Sequence, residues 1–186
     1  MITTGEGGMI LFKNKNNFEK AKILRDHGMS KKTRYYHVEV GFNFRMTNIQ
    51  AAVGVAQLSK VKNFLKKRRI NYKKFFNKLK MIKYLKFQKI EKWAESSFWL
   101  YTILLNKNSP ISKLELIKRL EINGVETRPI FYAFSLMKIY RKYKNKKQNF
   151  PVSEKISKNG FSLPSFTDLT STQINYICEN IKKAFN

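Results

Sequence analysis

Residues 41–54 read Gly41-Phe42-Asn43-Phe44-Arg45-Met46-Thr47-Asn48-Ile49-Gln50-Ala51-Ala52-Val53-Gly54, and they join a polar loop to a helix. Thr47 followed three residues later by Gln50 is the pattern of a capping box, in which each side chain bonds a backbone N–H of the other residue's turn. The pattern predicts a helix that begins at Asn48. The N-terminus of a helix carries about half a positive charge and unpaired N–H groups, which together suit a phosphate.

The residues just before this helix alternate between polar and apolar. In an extended backbone Asn43 and Arg45 point to one side, and Phe42, Phe44 and Met46 point to the other. We therefore expect an apolar anchor on one face, with an amide and a guanidinium beside the helix N-terminus on the other. The alternative is that both polar residues are ordinary loop residues.

The charge of the chain is strongly positive. It has 38 Lys and Arg against 12 Asp and Glu in 186 residues, a formal charge of +26. Such a charge suits a nucleic-acid-binding module. It also suits a composition biased throughout toward Lys, Asn, Ile, Phe and Tyr. We favour the second interpretation, because the lysines are spread along the chain and no nucleic-acid-binding motif accompanies them.

The remaining composition predicts a folded cytoplasmic protein. Hydrophobic residues make up 42% of the chain, enough for a core, in one domain or two small ones. The single Cys178 excludes an internal disulfide and fits a reducing compartment. No signal pattern precedes the first motif, and the longest apolar run, residues 98–105, is too short to span a membrane.

The first 46 residues predict a strand, a helix and a long loop. Met9–Phe12 is a continuous apolar run that indicates a buried strand, and Asn16 is the expected N-cap of a helix that reaches about His27. No neighbouring segment offers this strand a partner, so we expect its sheet to be completed by residues outside the chain. Residues 29–46 are basic and aromatic, which suits a nucleotide or phosphate as well as a flexible surface loop. His37 has no second metal ligand at a usable spacing.

From Asn48 to about Lys80 a 3.6-residue period predicts one long helix. Its strip Lys66-Lys67-Arg68-Arg69 predicts a solvated outer face rather than a phosphate-backbone contact. Residues 81–186 predict a small α/β domain. Its expected elements are strands at 84–87, 97–105, 125–128 and 161–163, and helices capped by Ser112 with Glu115, begun at Pro151, and capped by Thr170 with Gln173. In the last helix Cys178 is expected to fill the core.

Arg128 and Tyr132 follow a predicted strand, where binding sites are often built. Arg128 suits a bidentate grip on a carboxylate or phosphate, and a surface arginine paired with a nearby acid is the alternative.

Four motifs, which follow one another along the chain in the order that a known family has them, carry a resemblance to that family. They are residues 41–54, Thr3-Thr4-Gly5-Glu6-Gly7-Gly8, Leu24-Arg25-Asp26-His27-Gly28-Met29 and Gly124-Val125-Glu126-Thr127-Arg128-Pro129. The chain resembles the DegT/DnrJ/StrS-type sugar aminotransferases that use pyridoxal 5'-phosphate, and their perosamine-synthetase branch in particular. The resemblance covers essentially all 186 residues but only the C-terminal half of the family's longer enzymes.

The resemblance implies an α/β fold, the C-terminal part of a fold type I (aspartate aminotransferase-like) transferase. Residues 1–46 would be a remnant of the large cofactor-binding domain, 47–80 a long connecting helix, and 81–186 the small domain. It also implies amino transfer from glutamate to a keto group of a nucleotide-linked sugar, in surface polysaccharide or amino-sugar biosynthesis. The partners implied are a second copy in a homodimer or a missing N-terminal half.

The resemblance implies roles for four residues. Asn43 would reach the cofactor phosphate of the neighbouring subunit, and Arg45, Arg128 and Tyr132 would contact substrate. The lysine that holds the cofactor as a Schiff base is expected just upstream of Met1, so no catalytic residue is assigned and the chain alone is expected to be inactive. No metal is expected. Residues 133–135 read Ala-Phe-Ser where relatives often have Pro-Leu-His, so no role is carried over there. The alternatives are a nucleic-acid-binding module and a non-catalytic partner of a full-length enzyme.

Overall fold

The structure is a computed structural model that describes residues 1–143, 145 and 148–185. The chain forms two compact units, residues 1–61 and 62–186. The boundary falls inside the segment for which the sequence predicts one long helix. That segment forms two helices, α2 (Asn48–Ser59) and α3 (Val61–Leu79), which Lys60 separates. The assignment of the three parts to a large domain, a connecting helix and a small domain stays a prediction.

The first unit contains α1 (Lys15–Arg25) and α2, joined by a long loop. Asn14 rather than Asn16 caps α1, because its extended backbone lets its side chain accept a bond from the N–H of Asn17 at 3.1 Å. The capping box of Thr47 and Gln50 at the start of α2 is present as predicted.

The prediction of a buried strand at Met9–Phe12 is wrong in this chain. These residues form no strand, and Leu11 is 90% exposed. A strand is stabilised by a hydrogen-bonded neighbour and a covered face, and residues 1–61 supply neither. All 61 residues of this unit are described, and none of its apolar side chains is buried. The first unit therefore has no hydrophobic core of its own.

The second unit is a four-stranded antiparallel sheet with helices, which agrees with the predicted α/β class. Its strands lie in the order β1-β2-β4-β3. The elements after α3 are β1 (Leu85–Phe87), β2 (Tyr101–Leu105), α4 (Lys113–Ile122), β3 (Arg128–Pro129), α5 (Pro151–Asn159), β4 (Gly160–Leu163) and α6 (Ser171–Lys183). Two short 3₁₀ helices, Phe134–Leu136 and Lys138–Tyr143, precede α5.

One face of the sheet carries the core of this unit. Residues of β2 alternate between fully and partly buried, with Tyr101, Ile103 and Leu105 on the covered face. The helices contribute Phe75 and Leu79 from α3, Leu116 and Leu120 from α4, and Ile174, Ile177, Cys178 and Ile181 from α6. Burial raises the pKa of the Cys178 thiol to about 11, as expected of a core residue rather than a nucleophile.

Local signals in the second unit are largely confirmed. Thr170 and Gln173 form the predicted capping box. Ser112 caps α4, but Glu115 does not return the bond, because its carboxylate accepts from the Nε–H of Arg119 at 2.9 Å. The strand predicted at 125–128 is present as a shorter strand that begins later in the chain, since only Arg128 and Pro129 pair with β4.

The basic strip of α3 is solvated as predicted at Lys66 and Lys67, and Arg68 is the exception. Arg68 is buried, and its Nη1 donates to the carbonyls of Phe98, Trp99 and Ser165. Lys67 pairs with Asp168 and Arg69 with Glu95, each at 2.7 Å. Burial therefore withdraws Arg68 from this surface, while the ion pairs of Lys67 and Arg69 are exposed.

Within the described ranges, no helix combines the length and the apolar character that crossing a membrane requires.

Candidate functional site

The loop before α2 is held by the C-terminal end of α1. The N–H of Phe42 donates to the carbonyl of Leu24 at 2.8 Å, and the N–H of Phe44 donates to that of Arg25 at 2.9 Å. In return, the N–H of His27 donates to the carbonyl of Phe42 at 2.9 Å. The last carbonyls of a helix have no partner inside it. The end of α1 therefore satisfies its own backbone by fixing residues 42–44.

Two glycines allow this close approach. Gly28 has φ +68°, and a Cβ there would lie 1.9 Å from the carbonyl oxygen of Glu39. A Cβ on Gly41 would lie 2.1 Å from the nitrogen of Gly28. Neither position has space for a side chain, so the backbones at 28 and 41 cross in direct contact.

Asn43 and Arg45 are brought together with Asp26. The Nε–H of Arg45 donates to Oδ1 of Asn43 at 3.4 Å, and its Nη1 lies 3.3 Å from Oδ1 of Asp26. Because the Asn43 oxygen is engaged by Arg45, the two N–H donors of its amide stay available for a ligand. Asn43 is exposed, as a residue that contacts a second molecule must be.

Asp26 is the residue of this cluster that the sequence pattern missed. It lies within one of the four motifs, but nothing in its spacing from Arg45 predicts their contact. The isolated β-bridge between Asp26 and Asn43 brings the two segments side by side.

The apolar face of the same loop is arranged as predicted, but it is uncovered. The rings of Phe42 and Phe44 stack with centroids 5.2 Å apart, which confirms that they share a side of the extended backbone. They are 57% and 70% exposed, so they anchor nothing within the described residues. This apolar surface is available to another chain or chain segment.

The N-terminus of α2 is connected to the glycine-rich first motif. The side-chain amide of Gln50, already part of the capping box, donates to the carbonyl of Glu6 at 3.2 Å. The hydroxyl of Thr4 donates to the same carbonyl at 2.8 Å. Two motifs that are 44 residues apart in the chain thus meet at one helix end.

The rest of the long loop is folded back on itself. Ser30 donates its N–H to the carbonyl of Tyr36 at 2.7 Å, and Val38 donates to that of Gly28 at 2.8 Å. His37 is bonded through Nδ1 to the carbonyl of His27 at 2.9 Å, which gives it a structural role. Among the residues that the structure describes, no group of three or more His, Cys, Asp or Glu side chains is placed to hold a metal.

Arg128 and Tyr132 lie in the second unit, at and just after β3. Arg128 is opposite Ser162 of β4, and its side chain is exposed. Tyr132 is 70% exposed. In the described part of the chain neither side chain has an ion pair, so both stay available as the substrate contacts that the resemblance implies.

The fold and motifs agree with what comparison with known proteins finds. The family model described as the DegT/DnrJ/EryC1/StrS aminotransferase family matches residues 1–182. The chain belongs to this family.

Two of the relatives that the chain matches over its whole length are GDP-perosamine synthases. The chain is 35% identical to the GDP-perosamine synthase of Escherichia coli O157:H7, over all of this chain and 49% of that protein. It is 34% identical to the GDP-perosamine synthase of Vibrio cholerae, over all of this chain and 50% of that protein. The chain thus spans about half the length of the curated relatives it matches.

A solved structure supports the same fold. The E. coli GDP-4-keto-6-deoxy-D-mannose-3-dehydratase, solved with bound hydrated PLP, matches 96% of this chain with a TM-score of 0.85 and 25% identity. The match covers 50% of that protein. Because that enzyme is a dehydratase, the fold by itself does not fix the reaction.

Proposed function

We propose that this chain is the C-terminal half of a nucleotide-sugar aminotransferase similar to perosamine synthase. The reaction would move an amino group from glutamate to a keto group on a nucleotide-linked deoxysugar. The single observation that carries the proposal is the match of the whole chain, at 35% identity, to about half of a GDP-perosamine synthase.

The donors around Asn43 fit the phosphate end of pyridoxal 5'-phosphate. They are the free amide N–H groups of Asn43, the guanidinium of Arg45, and the first N–H groups of α2. All are donors, and the positive charge of Arg45, which Asp26 partly offsets, favours an anion. When bound, the cofactor would supply the electron sink and the temporary carrier of the amino group.

In this proposal the residues of this chain bind and orient the cofactor and the substrate. Asp26 holds Arg45, Arg45 holds the oxygen of Asn43, and the amide nitrogen of Asn43 is thereby directed to the phosphate. In this proposal the phosphate would belong to the cofactor of the neighbouring subunit in a homodimer. Arg128 and Tyr132 would contact the substrate. The lysine that bonds the cofactor is expected in the preceding half, so the chain alone would be inactive.

The bare apolar surface of the first unit also supports a missing half. A folded unit of this size normally buries apolar side chains, and residues 1–61 bury none. Met9, Ile10 and Leu11 are each more than 70% exposed. A segment that pairs with residues 9–12 and covers their side chains would complete the unit.

Absorbance with cofactor is the first test. The purified chain, mixed with pyridoxal 5'-phosphate, should show no visible band of a lysine-bound cofactor. A band that disappears when one lysine of this chain is replaced would overturn the proposal. The coding sequence upstream of Met1 would be read for an in-frame lysine and large domain, and the joined polypeptide assayed with glutamate and keto sugars linked to GDP or UDP.

Asn43→Asp tests the binding role in that joined polypeptide. Aspartate keeps an oxygen for Arg45, but it removes the amide donors and adds a charge that repels phosphate. We expect cofactor binding to weaken by about tenfold or more, since a hydrogen bond to a charged group contributes about 1.5–3 kcal/mol. Asn16→Asp, on the exposed side of α1, makes the same charge change and should leave the dissociation constant within about twofold. Equal effects of the two variants would remove Asn43 from the site.

A further inference from the structure

A cationic cavity lies on the second unit, and none of the residues assigned above lines it. It has a volume of about 560 Å³ and is bordered by Lys83, Lys86, Lys107 and Lys155. The other described lining residues are Tyr84, Asn106 and Asn108, so none of the lining that the structure describes is a carboxylate. Four positive charges therefore converge on one concavity with no neutralising group in the described part of its wall.

Unpaired lysines alone carry little information in this chain, because 38 basic residues share 12 acidic ones. The distinctive feature is that these four come from separate elements. They lie at and before β1, after β2, and on α5, up to 72 residues apart in sequence. None of the four forms an ion pair within the described ranges.

The backbone beneath the cavity is fixed. The N–H of Asn106 donates to the carbonyl of Tyr84 at 2.8 Å, and its side-chain amide donates to that of Lys83 at 2.7 Å. Lys86 is paired with Leu104 in the β1–β2 ladder. The backbone at Lys83 and Lys86 and beside Lys107 is therefore held at set positions, and Lys155 is carried by α5. The ammonium group of Lys83 lies 5.1 Å from the centre of the Tyr84 ring, a weak contact that an anion can replace.

An apolar hollow adjoins the charged cavity. It has a volume of about 330 Å³, and it shares Lys86, Asn106 and Lys155 with the first cavity. Its distinct lining includes Leu104, Val152 and Ile156. A ligand with an anionic part and an organic part can occupy both volumes at once, since each lies in or near the range of small-molecule sites.

We propose that this lysine-lined cavity binds a di- or triphosphate, whose attached organic group lies over Leu104, Val152 and Ile156. Ammonium groups are point charges that can surround a phosphate chain, whereas flat bidentate recognition of a single carboxylate would call for arginine. Bound phosphates would relieve the mutual repulsion of the four lysines, so binding would also stabilise the second unit. The site is independent of the aminotransferase proposal, because it uses none of the residues assigned there.

The test is calorimetric titration of the 186-residue chain at 0.15 M salt, with GDP and with inorganic tripolyphosphate as probes. The changed variant is Lys86→Gln with Lys107→Gln and Lys155→Gln. The control is Lys118→Gln with Lys138→Gln and Lys183→Gln, three exposed lysines outside the cavity, which lowers the net charge equally. We expect the cavity variant to weaken binding by about tenfold or more, and the control by less than about threefold, because exposed ion pairs each contribute modestly.

The two probes separate the sources of the phosphate. Tighter binding of GDP, reduced by Ile156→Ser, supports a nucleotide with its organic part in the hollow. Equal binding of both probes supports the phosphate subsite and overturns the role of the hollow. If neither probe binds at about 1 mM, or if the two triple variants weaken binding equally, the cavity is only part of the general positive field of the chain. If the triple variant loses the circular-dichroism signal of the folded chain, the single variants Lys107→Gln and Lys155→Gln are each compared with Lys118→Gln instead.

Discussion

Arg68 offers a quantitative test of the second unit. Arg68 is 8% exposed, and its guanidinium donates through Nη1 to the carbonyls of Phe98, Trp99 and Ser165. Arg68→Met keeps most of the stem but leaves these carbonyls without their donor. An orphaned buried acceptor costs about 1–3 kcal/mol. Because the three carbonyls share one nitrogen and two of them are only partly buried, the costs do not add in full.

The expected loss is about 2 kcal/mol in the free energy of unfolding. This figure allows for one opposing contribution. The buried Nε of Arg68 has no hydrogen-bond partner among the described residues, so its removal is favourable. Arg68→Lys keeps a charged donor that reaches fewer acceptors, so it should lie between wild type and Arg68→Met.

Arg69→Met is the matched control. It removes the same charge from the next position of α3, but its partner Glu95 is 83% exposed, so it should cost less than about 1 kcal/mol. Urea titration followed by tryptophan fluorescence measures both, because Trp93 and Trp99 lie in the second unit. If the two variants agree within about 0.5 kcal/mol, the carbonyl contacts of Arg68 do not stabilise this unit.

Two further predictions concern buried groups of the same core. Burial raises the pKa of Tyr101 from 10.0 to about 12, so the unfolded chain loses the phenol proton first and the free energy of unfolding should fall between those pH values. Tyr101→Phe should flatten that fall in urea titrations at pH 9–12. At pH 8 the same variant should lose about 1 kcal/mol, because it lacks the hydrogen bond from the Tyr101 hydroxyl to the Arg68 carbonyl. Cys178 is 1% exposed, and burial raises the pKa of its thiol to about 11. We expect it to react with a disulfide reagent at pH 8 only as fast as the second unit opens. Rapid labelling in native buffer would contradict its burial.

The features that the sequence predicted are those that local chemistry determines. A capping box needs only a hydroxyl and an amide three residues apart, so Thr47 with Gln50 and Thr170 with Gln173 were identifiable from their spacing. Residues 42–44 alternate in side-chain direction because an extended backbone requires it. The four motifs place the chain in its family for a similar reason, since each is a continuous segment.

The features that the sequence missed depend on contacts between distant segments. In the sequence Arg68 is one of four consecutive cations. Its burial depends in part on the carbonyl of Ser165, 97 residues later, which accepts a hydrogen bond from it. Asp26 gains a role only when the end of α1 meets the loop at Asn43. The lysines of the cavity converge only after β1, β2 and α5 have assembled. Periodicity carries no information about such pairings.

The wrong prediction at Met9–Phe12 leads to the sharpest test of the proposal that a preceding half completes the first unit. An apolar run marks a segment that is buried in the finished fold, and here it is bare. The helices of the first unit have 11 and 12 residues, lengths at which an isolated helix is marginal without tertiary packing. In the chain alone, amides of α1 and α2 should therefore exchange with solvent within about a hundredfold of unstructured rates. Amides of β2 and α6, which pack on the core, should be protected by about a thousandfold or more.

Adding the preceding half should slow exchange in α1 and α2 and leave β2 and α6 nearly unchanged, because only the first unit lacks a covered apolar face. Mass spectrometry of peptides from the two units measures this in a single sample. Strong protection of α1 and α2 in the chain alone would mean that residues 1–61 are stable without a covering partner. The exposed run at residues 9–12 would then need another explanation, and the argument for a missing half would rest on the comparison with longer relatives alone.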